Sequence, residues 1–419
     1  MQKKLNPKSR VFLFSLTFCT ILAVIASLPA FSIQFKKPVN VSKSRTRIDT
    51  EPAIAVDKNN KVHIAWNALY AKPGAPDGVA VDIYYTNNIS GNFSAPIRIR
   101  VAAGWYSRSP SIAVDSKGHA HIVFRRSQDQ TNLLSEDDIY YVTNAGGDFK
   151  HPILLVDGKF GILGPTDVSA PCDTIIHCDR RDHLHLTFQA WEIGNDPRFE
   201  FLIYMNNIAG SWTNPSIAAQ GDFITGYHSC LDTNNFVHIA YSDIDAKSNY
   251  RIFYTNNRSG KFSKPIRASY SKHECADQAQ IATDSKGKAH IVYEAAFLGA
   301  WTPCLFYVNN ISGSFKSWKA LCTAGTYYIP SIAIDSSNII HIAYKRTPAW
   351  GGELYYGNNV SGDFKFVSYD VGWGGNWYIG SSYFSLGKGS TLHFAFFYWV
   401  GAVYESDTEI CYLAGSWAN

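Results

Sequence analysis

Four carboxylates, Asp49, Glu51, Asp243 and Glu294, are the residues best suited to acid–base chemistry. Cleaving a glycosidic bond needs two such groups about 5–10 Å apart, one as acid and one as nucleophile or base. Glu192, Glu274 and Asp277 widen the choice, and the sequence alone brings no two together. Among them stand the cations Arg47, Arg108, Arg125 and Lys345, the amide Gln189, and the aromatic rings Trp105, Trp191, Tyr227 and Tyr378. Rings that stack, with charged groups that bond the ligand's edge, suit recognition of a sugar or a peptide. Trp301, Trp350, Trp377 and Trp399 fall in similar stretches, and a merely solvated rim rarely shows so many aromatics.

Histidine offers a second chemistry. His63, His121, His185, His238, His290, His341 and His393 recur at spacings of 58, 64, 53, 52, 51 and 52 residues. A metal site needs two to four ligands about 2 Å from one ion. Seven equivalent positions cannot converge that way, so each histidine reads as scaffold, half-buried and paired with a neighbouring strand. No nucleotide, flavin or transition-metal motif occurs, and no cofactor is expected. A structural Ca²⁺ in a loop is compatible with the sequence but has no motif behind it.

The element that must position these residues is a repeat. Each histidine lies in a fragment such as "VHIAW" or "AHIVY", and six residues upstream stands Asp57, Asp115, Asp179, Asp232, Asp284 or Asp335, with Gly387 in the last copy. An apolar run precedes the Asp. An aromatic pair, a turn "NxSGxF" and a short segment such as "APIRI" follow the histidine. Four short β-prone runs per copy, separated by Gly, Asn and Asp, predict a four-stranded antiparallel meander, strands A to D. The Asp is placed to close the A–B hairpin as an Asx-turn. Such sheets repeating every 50 to 60 residues predict an all-β, seven-bladed β-propeller.

The seventh copy has no strand D, while "FKKPV" at Phe35–Val39 is a strand D with nothing before it. Phe35–Val41 is therefore expected to complete the seventh blade and close the ring, removing an unpaired edge. Phe35 and Trp417 both match the aromatic of "GxF", so the two halves of that joint overlap.

Within the ring, function should lie where copies differ. The residue after each strand-B aromatic is Asn67, Arg125, Gln189, Ser242, Glu294, Lys345 or Phe397. This mostly polar set is expected to line the mouth of the central channel, with Arg47, Asp49, Glu51, Trp105, Arg108, Trp191, Tyr227, Asp243 and Tyr378 from neighbouring loops.

"IYYTNNISGNFSAPI" (Ile83–Ile97) resembles the BNR or Asp-box repeat of sialidase-like propellers. Thr86, Gly91 and Phe93 match that pattern, and Asn88 replaces its Asp; the Asn recurs at Asn144, Asn207, Asn257, Asn310 and Asn359. The "PSIAVDSKG" half is similar to NHL-type repeats. The resemblance spans nearly all of residues 33–419 and implies the fold. In sialidases the box is structural, and catalysis uses an arginine triad, a Tyr–Glu pair and an Asp acid after an early Arg-Ile-Pro. Here "RID" at Arg47–Asp49 stands in its place, so the resemblance does not bring sialidase activity with it.

Residues 1–32 read as a secretory signal: Lys3, Lys4, Lys8 and Arg10, then an apolar run, then "AFS" at Ala30–Ser32. The alternative is an uncleaved anchor, the only membrane attachment the sequence offers. Removing those four cations leaves 34 basic residues against 34 acidic ones, which gives no electrostatic support to a nucleic-acid partner. Seven Cys remain, an odd count for an oxidising compartment, with Cys304–Cys322 the pairing expected first. Sequons at Asn88, Asn257, Asn310 and Asn359 share one turn whose geometry itself wants Asn and Gly. The sequence thus predicts a secreted or cell-envelope monomer, residues 33–419, that binds a glycan or a peptide or protein partner. The alternative is a sialidase-like glycoside hydrolase or lyase acting in the channel mouth, and a scaffold without small ligand is a third reading.

Overall fold

The computed structural model describes residues 33–44, 46–75, 78–101, 106–127, 137–158, 168–193, 199–270, 272–273, 275–296, 304–321, 328–346, 353–370, 377–378, 383–399 and 408–417. The architecture is all-β, and the only helical turn among those residues is Lys388–Ser390. Repeats three to six each form a separate four-stranded antiparallel sheet in the order A-B-C-D. The fourth, for example, runs Thr225–Leu231, Val237–Ile244, Tyr250–Asn256 and Ile266–Arg267. Repeats one, two and seven have the same internal pairing. Single parallel bridges, Val81 to Tyr106 and Ile48 to Thr408, link them into one larger sheet. Consecutive four-stranded antiparallel sheets are what a β-propeller requires.

Strand B is buried on both faces: Val62, His63, Ile64, Ala65 and Trp66 are all fully enclosed. The apolar clusters accordingly lie between repeats. One joins Ala240, Ile252 and Tyr254 of the fourth to Ile291, Tyr293 and Phe306 of the fifth; another joins Ile64 and Trp66 of the first to Ala395 and Ile410 of the seventh.

The recurring polar residues have local causes. The Asp that ends strand A accepts the N–H groups two and four residues on, at 2.7–3.0 Å in all six copies, as the Asx-turn reading required. Each of the seven histidines meets a strand-C tyrosine hydroxyl through Nδ1 at 2.5–2.8 Å. Its Nε2 faces the Asp at 3.3–3.6 Å in five copies. The Asn that replaces the Asp-box aspartate accepts the N–H preceding the histidine at 2.6–2.8 Å, as with Asn88 and Val62. An amide serves as well as a carboxylate for accepting one backbone donor.

The aromatic of "GxF" reaches the previous repeat. Phe149, Trp212, Phe262, Phe315 and Phe364 pack edge-on against Tyr85, Tyr141, Tyr204, Tyr254 and Tyr307 at 4.8–5.6 Å between ring centroids. Phe93 of the first repeat packs in the same way on Tyr412 of the seventh, at 5.0 Å.

Gly387, the one departure from Asp, has a reason. A Cβ there would overlap Asn60 Oδ1, which arrives from the first repeat and accepts the Lys388 N–H at 3.0 Å. Asn60 Oδ1 also lies 3.2 Å from His393 Nε2, where the other copies present their own Asp.

The N-terminal segment pairs with the last strand, Thr408–Trp417, in two pieces: Ile33–Phe35 against Trp417–Gly415, and Val39–Asn40 against Tyr412–Cys411. This strand begins two residues earlier than "FKKPV" suggested and breaks at Lys36–Pro38. The overlap of Phe35 and Trp417 resolves because Phe35 lies opposite Gly415, where a Cβ would press on its ring. Phe35 then stacks on Tyr369 of the sixth repeat, 4.5 Å away.

Candidate functional site

Strand A of repeats one to five carries a bulge that sequence periodicity did not reveal. Register slips between Thr50 and Ala53, Arg108 and Ser111, Cys172 and Thr174, Thr225 and Tyr227, and Asp277 and Gln280. Each slip contains a residue with positive φ: Glu51 (51°), Ser109 (51°), Asp173 (30°), Gly226 (39°) and Gln278 (54°). All five stand six residues before the closing Asp. Pro52 and Pro110 follow in the first two copies, but Pro330 holds the same place in the sixth repeat without a slip, so no residue type in the sequence signals the bulges.

These equivalent positions converge on a single cavity of about 380 Å³, lined also by Ala53, Thr174, Ile175, Tyr227, Ala279 and Gln280. Left-handed backbone at non-glycine residues costs about 1–3 kcal/mol each, and such positions gather at ligand sites. Glu51 Oε2 accepts the Ser109 N–H at 3.1 Å and its hydroxyl at 3.2 Å, crossing from the first repeat to the second. With its amide turned so that both ends are satisfied, Asn67 also donates to Glu51 Oε2 at 3.0 Å. Arg125 extends the chain, 3.5 Å from Ser109 Oγ and 3.7 Å from Asp137. Two buried polar atoms of the wall, Gln280 Oε1 and Thr174 Oγ1, have no hydrogen-bond partner among the described residues. Both atoms are enclosed by the surrounding protein rather than open to the cavity.

Of the residues singled out from sequence, Glu51 and Tyr227 line the cavity, and Arg125 reaches it through Ser109. Tyr227 is a strut: its hydroxyl donates to the carbonyls of Asp173 and Thr187, both at 2.9 Å. Glu294 is half-buried and lies directly across the ladder from Asp277. Asp277 Oδ1 accepts the Thr225 hydroxyl at 3.0 Å, beside the Gly226 backbone of the cavity wall. Arg108 is half-buried on the strand facing Arg125. Lys345 occupies the equivalent place in the sixth repeat, where burial pushes its amine down to about 8.

Others lie elsewhere. Asp49 is fully buried between the first and seventh repeats, with Arg47 Nε 3.4 Å away, and does not reach the channel mouth. Burial raises its carboxyl to about 6 despite the opposing pull of Arg47. Arg47 itself sits over the Tyr84 ring at 4.1 Å. Asp243 ties the end of its strand to the connection entering the repeat, accepting the Phe223 and Ile244 N–H groups at 2.9 and 2.8 Å, and burial raises its carboxyl. Gln189 donates to Glu200 and to the Ile224 carbonyl. Trp191 is half-buried in the third sheet, and Tyr378 pairs by its backbone with Phe397. Trp105, Glu274, Trp301, Trp350 and Cys322 lie outside the described residues. No group of three or more potential metal ligands occurs among the described residues.

No family model matches the chain, and no curated protein does. Solved structures match in shape. A polysaccharide lyase, Uly1, aligns with a TM-score of 0.57 at 10% identity, over 91% of this chain and 99% of that one. An ulvan lyase of family PL25 gives 0.51 at 10% identity over 80% and 86%. An α-L-arabinanase from Penicillium chrysogenum, complexed with arabinobiose, gives 0.50 at 11% identity over 91% and 98%. At such identities the likeness establishes the fold alone.

Proposed function

We propose that the chain is an exported, seven-bladed β-propeller that holds a carbohydrate in the cavity formed by Glu51, Ser109, Asp173, Gly226 and Gln278. The observation that carries this reading is the convergence of five positive-φ residues from successive repeats on one cavity, whose wall mixes the polar Glu51, Ser109, Asp173, Gln278 and Gln280 with Pro52, Pro110, Ile175 and Tyr227. Polar groups beside apolar surface suit a sugar, and about 380 Å³ suits a mono- or disaccharide unit. The ring reading is supported by the first strand of each repeat packing on that of the next, and by the first strand of the first repeat packing on that of the seventh. Export rests on the leader; among the described residues no helix is long and apolar enough to cross a membrane. The edges that the outer strands leave are short, as at Ile266–Arg267, which fits a monomer.

Binding is preferred to catalysis because the carboxyls that burial raises, Asp49, Asp138 and Asp243, are not in the cavity wall. A hydrolase or lyase reading has one observation in its favour. Asp277 and Glu294 are cross-strand neighbours, which places their Cβ atoms about 5 Å apart, close to the separation a retaining pair needs. The experiment is a panel of oligosaccharides, with arabinan and ulvan fragments included, against secreted residues 33–419. Retention that Glu51→Gln and Gln280→Leu abolish supports binding. Product release that Glu294→Gln abolishes would replace it with catalysis.

A further inference from the structure

A second cavity, about 260 Å³, opens between the fourth and fifth repeats, lined by Arg267, Ser269, Tyr270, Phe315, Lys316 and Trp318. Its walls belong to the fourth strands and their flanks, three strands out from the first strands, or about 14 Å across the sheet. It is therefore separate from the central cavity.

The platform is rigid. The Ser269 hydroxyl accepts the Ile252 N–H at 3.1 Å, and the Ala268 N–H donates to the Ile252 carbonyl at 2.7 Å. Tyr270 and Trp318 lie 4.4 Å apart at 30°, joining the two repeats, and Phe315 is held edge-on by Tyr254. All three rings are half-buried and border the opening. Arg267 and Lys316 are exposed on either side, and no carboxylate among the described residues pairs with either. Two cations that no described carboxylate neutralises thus flank an aromatic floor, in a chain whose residues 33–419 carry 34 basic and 34 acidic side chains.

We infer that this groove is a binding site for an acidic sugar residue of a polysaccharide, its ring on the Tyr270–Trp318 platform and its anionic group between Arg267 and Lys316. A carboxylated or sulfated sugar matches both features: an apolar ring face for the aromatics and an anion for charge-assisted bonds. A neutral sugar satisfies only the first, and an inorganic anion only the second.

The test is affinity electrophoresis of secreted residues 33–419 in gels containing polygalacturonate, dextran sulfate or neutral dextran. Retardation by polygalacturonate, dextran sulfate or both, and not by dextran, is expected. The two acidic polymers distinguish a carboxylate from a sulfate ligand. Arg267→Glu with Lys316→Glu should weaken it at least tenfold, since both charge-assisted contacts are replaced by repulsion of the anion. Both residues are exposed, so this variant folds, whereas Trp318→Ala also disturbs packing between repeats. Retention of neutral oligosaccharides by the central cavity should persist in the charge variant, which separates failure here from failure there. Absence of retardation by either acidic polymer, equal retardation by dextran, or retardation unchanged in the charge variant would each overturn the inference.

Discussion

Acidification from about pH 7 to about pH 5 should destabilise this protein, although few of its carboxylates titrate in that window. His63 and His273 are fully buried and His393 is 4% exposed. Desolvation lowers each from 6.5 to about 4. A histidine whose native pKa is depressed stays neutral in the fold while the unfolded chain takes up the proton. Stability is therefore complete above the unfolded value near 6.5 and is lost as pH falls toward 4. Each of the three forfeits about 2 kcal/mol over those two pH units, about 5 kcal/mol together. Asp49 works in the opposite sense: raised to about 6, it gains a proton in the fold before the unfolded chain does, and returns about 1 kcal/mol. Burial also lowers His121, His185, His290 and His341, which deepens the loss. The carboxylates held below their usual range, such as Asp115 and Asp335, are ionised in both states throughout this window and contribute only below it. The net expectation is a loss of at least about 4 kcal/mol, read from urea midpoints at the two pH values with His63→Gln as a second protein. That variant should be less stable at neutral pH but lose about a third less on acidification. Equal or greater stability at the lower pH would refute the argument that these rings are buried neutral.

Gly387→Asp should cost about 1–3 kcal/mol, because the new side chain collides with Asn60; adding Asn60→Gly recreates the arrangement in which Gly118 sits over Asp57 and should recover most of the loss in thermal melts. Phe93→Ala, which removes the ring that the first repeat lays on Tyr412, should cost about 2–3 kcal/mol, with amide exchange accelerating first in residues 408–417. Glu51→Gln should reduce oligosaccharide retention at least tenfold while moving the melting midpoint little, since its carboxylate is exposed; calorimetric titration beside a melt separates the two effects.

The repeat was legible because its marks act locally. Asp57, Asn88, Gly91 and Phe93 each serve a turn or ladder within a few residues or in the adjacent repeat, so their recurrence in sequence is a direct trace of the hairpins. Phe35–Val41 was legible as a misplaced fourth strand for the same reason. The site was harder. Asp49 reads as a loop residue at the channel mouth, but it lies within strand Ile48–Val56, fully buried beside Arg47, Ser42 and Trp66. Ser109, Asp173 and Gln278 escaped notice because the bulges that turn them to the cavity leave no common residue type in the sequence. Asp243 and Gln189 were read as facing a ligand when each satisfies backbone or side chains of its own and the next repeat.

The joint between Ile33–Asn40 and Thr408–Trp417 bears on how the molecule comes apart. A linear array of repeats frays: its terminal member has one neighbour and melts first, independently of the middle. Here the terminal members hold each other through Phe93 on Tyr412, Asn60 on Lys388 and a bond from Ile410 to the Ser42 hydroxyl spanning 368 residues. In the proposed ring every repeat has two neighbours, and losing any one opens two interfaces at once. Melting should be all-or-none, and a chain missing its last strand should behave as a ladder that unzips from both cut ends.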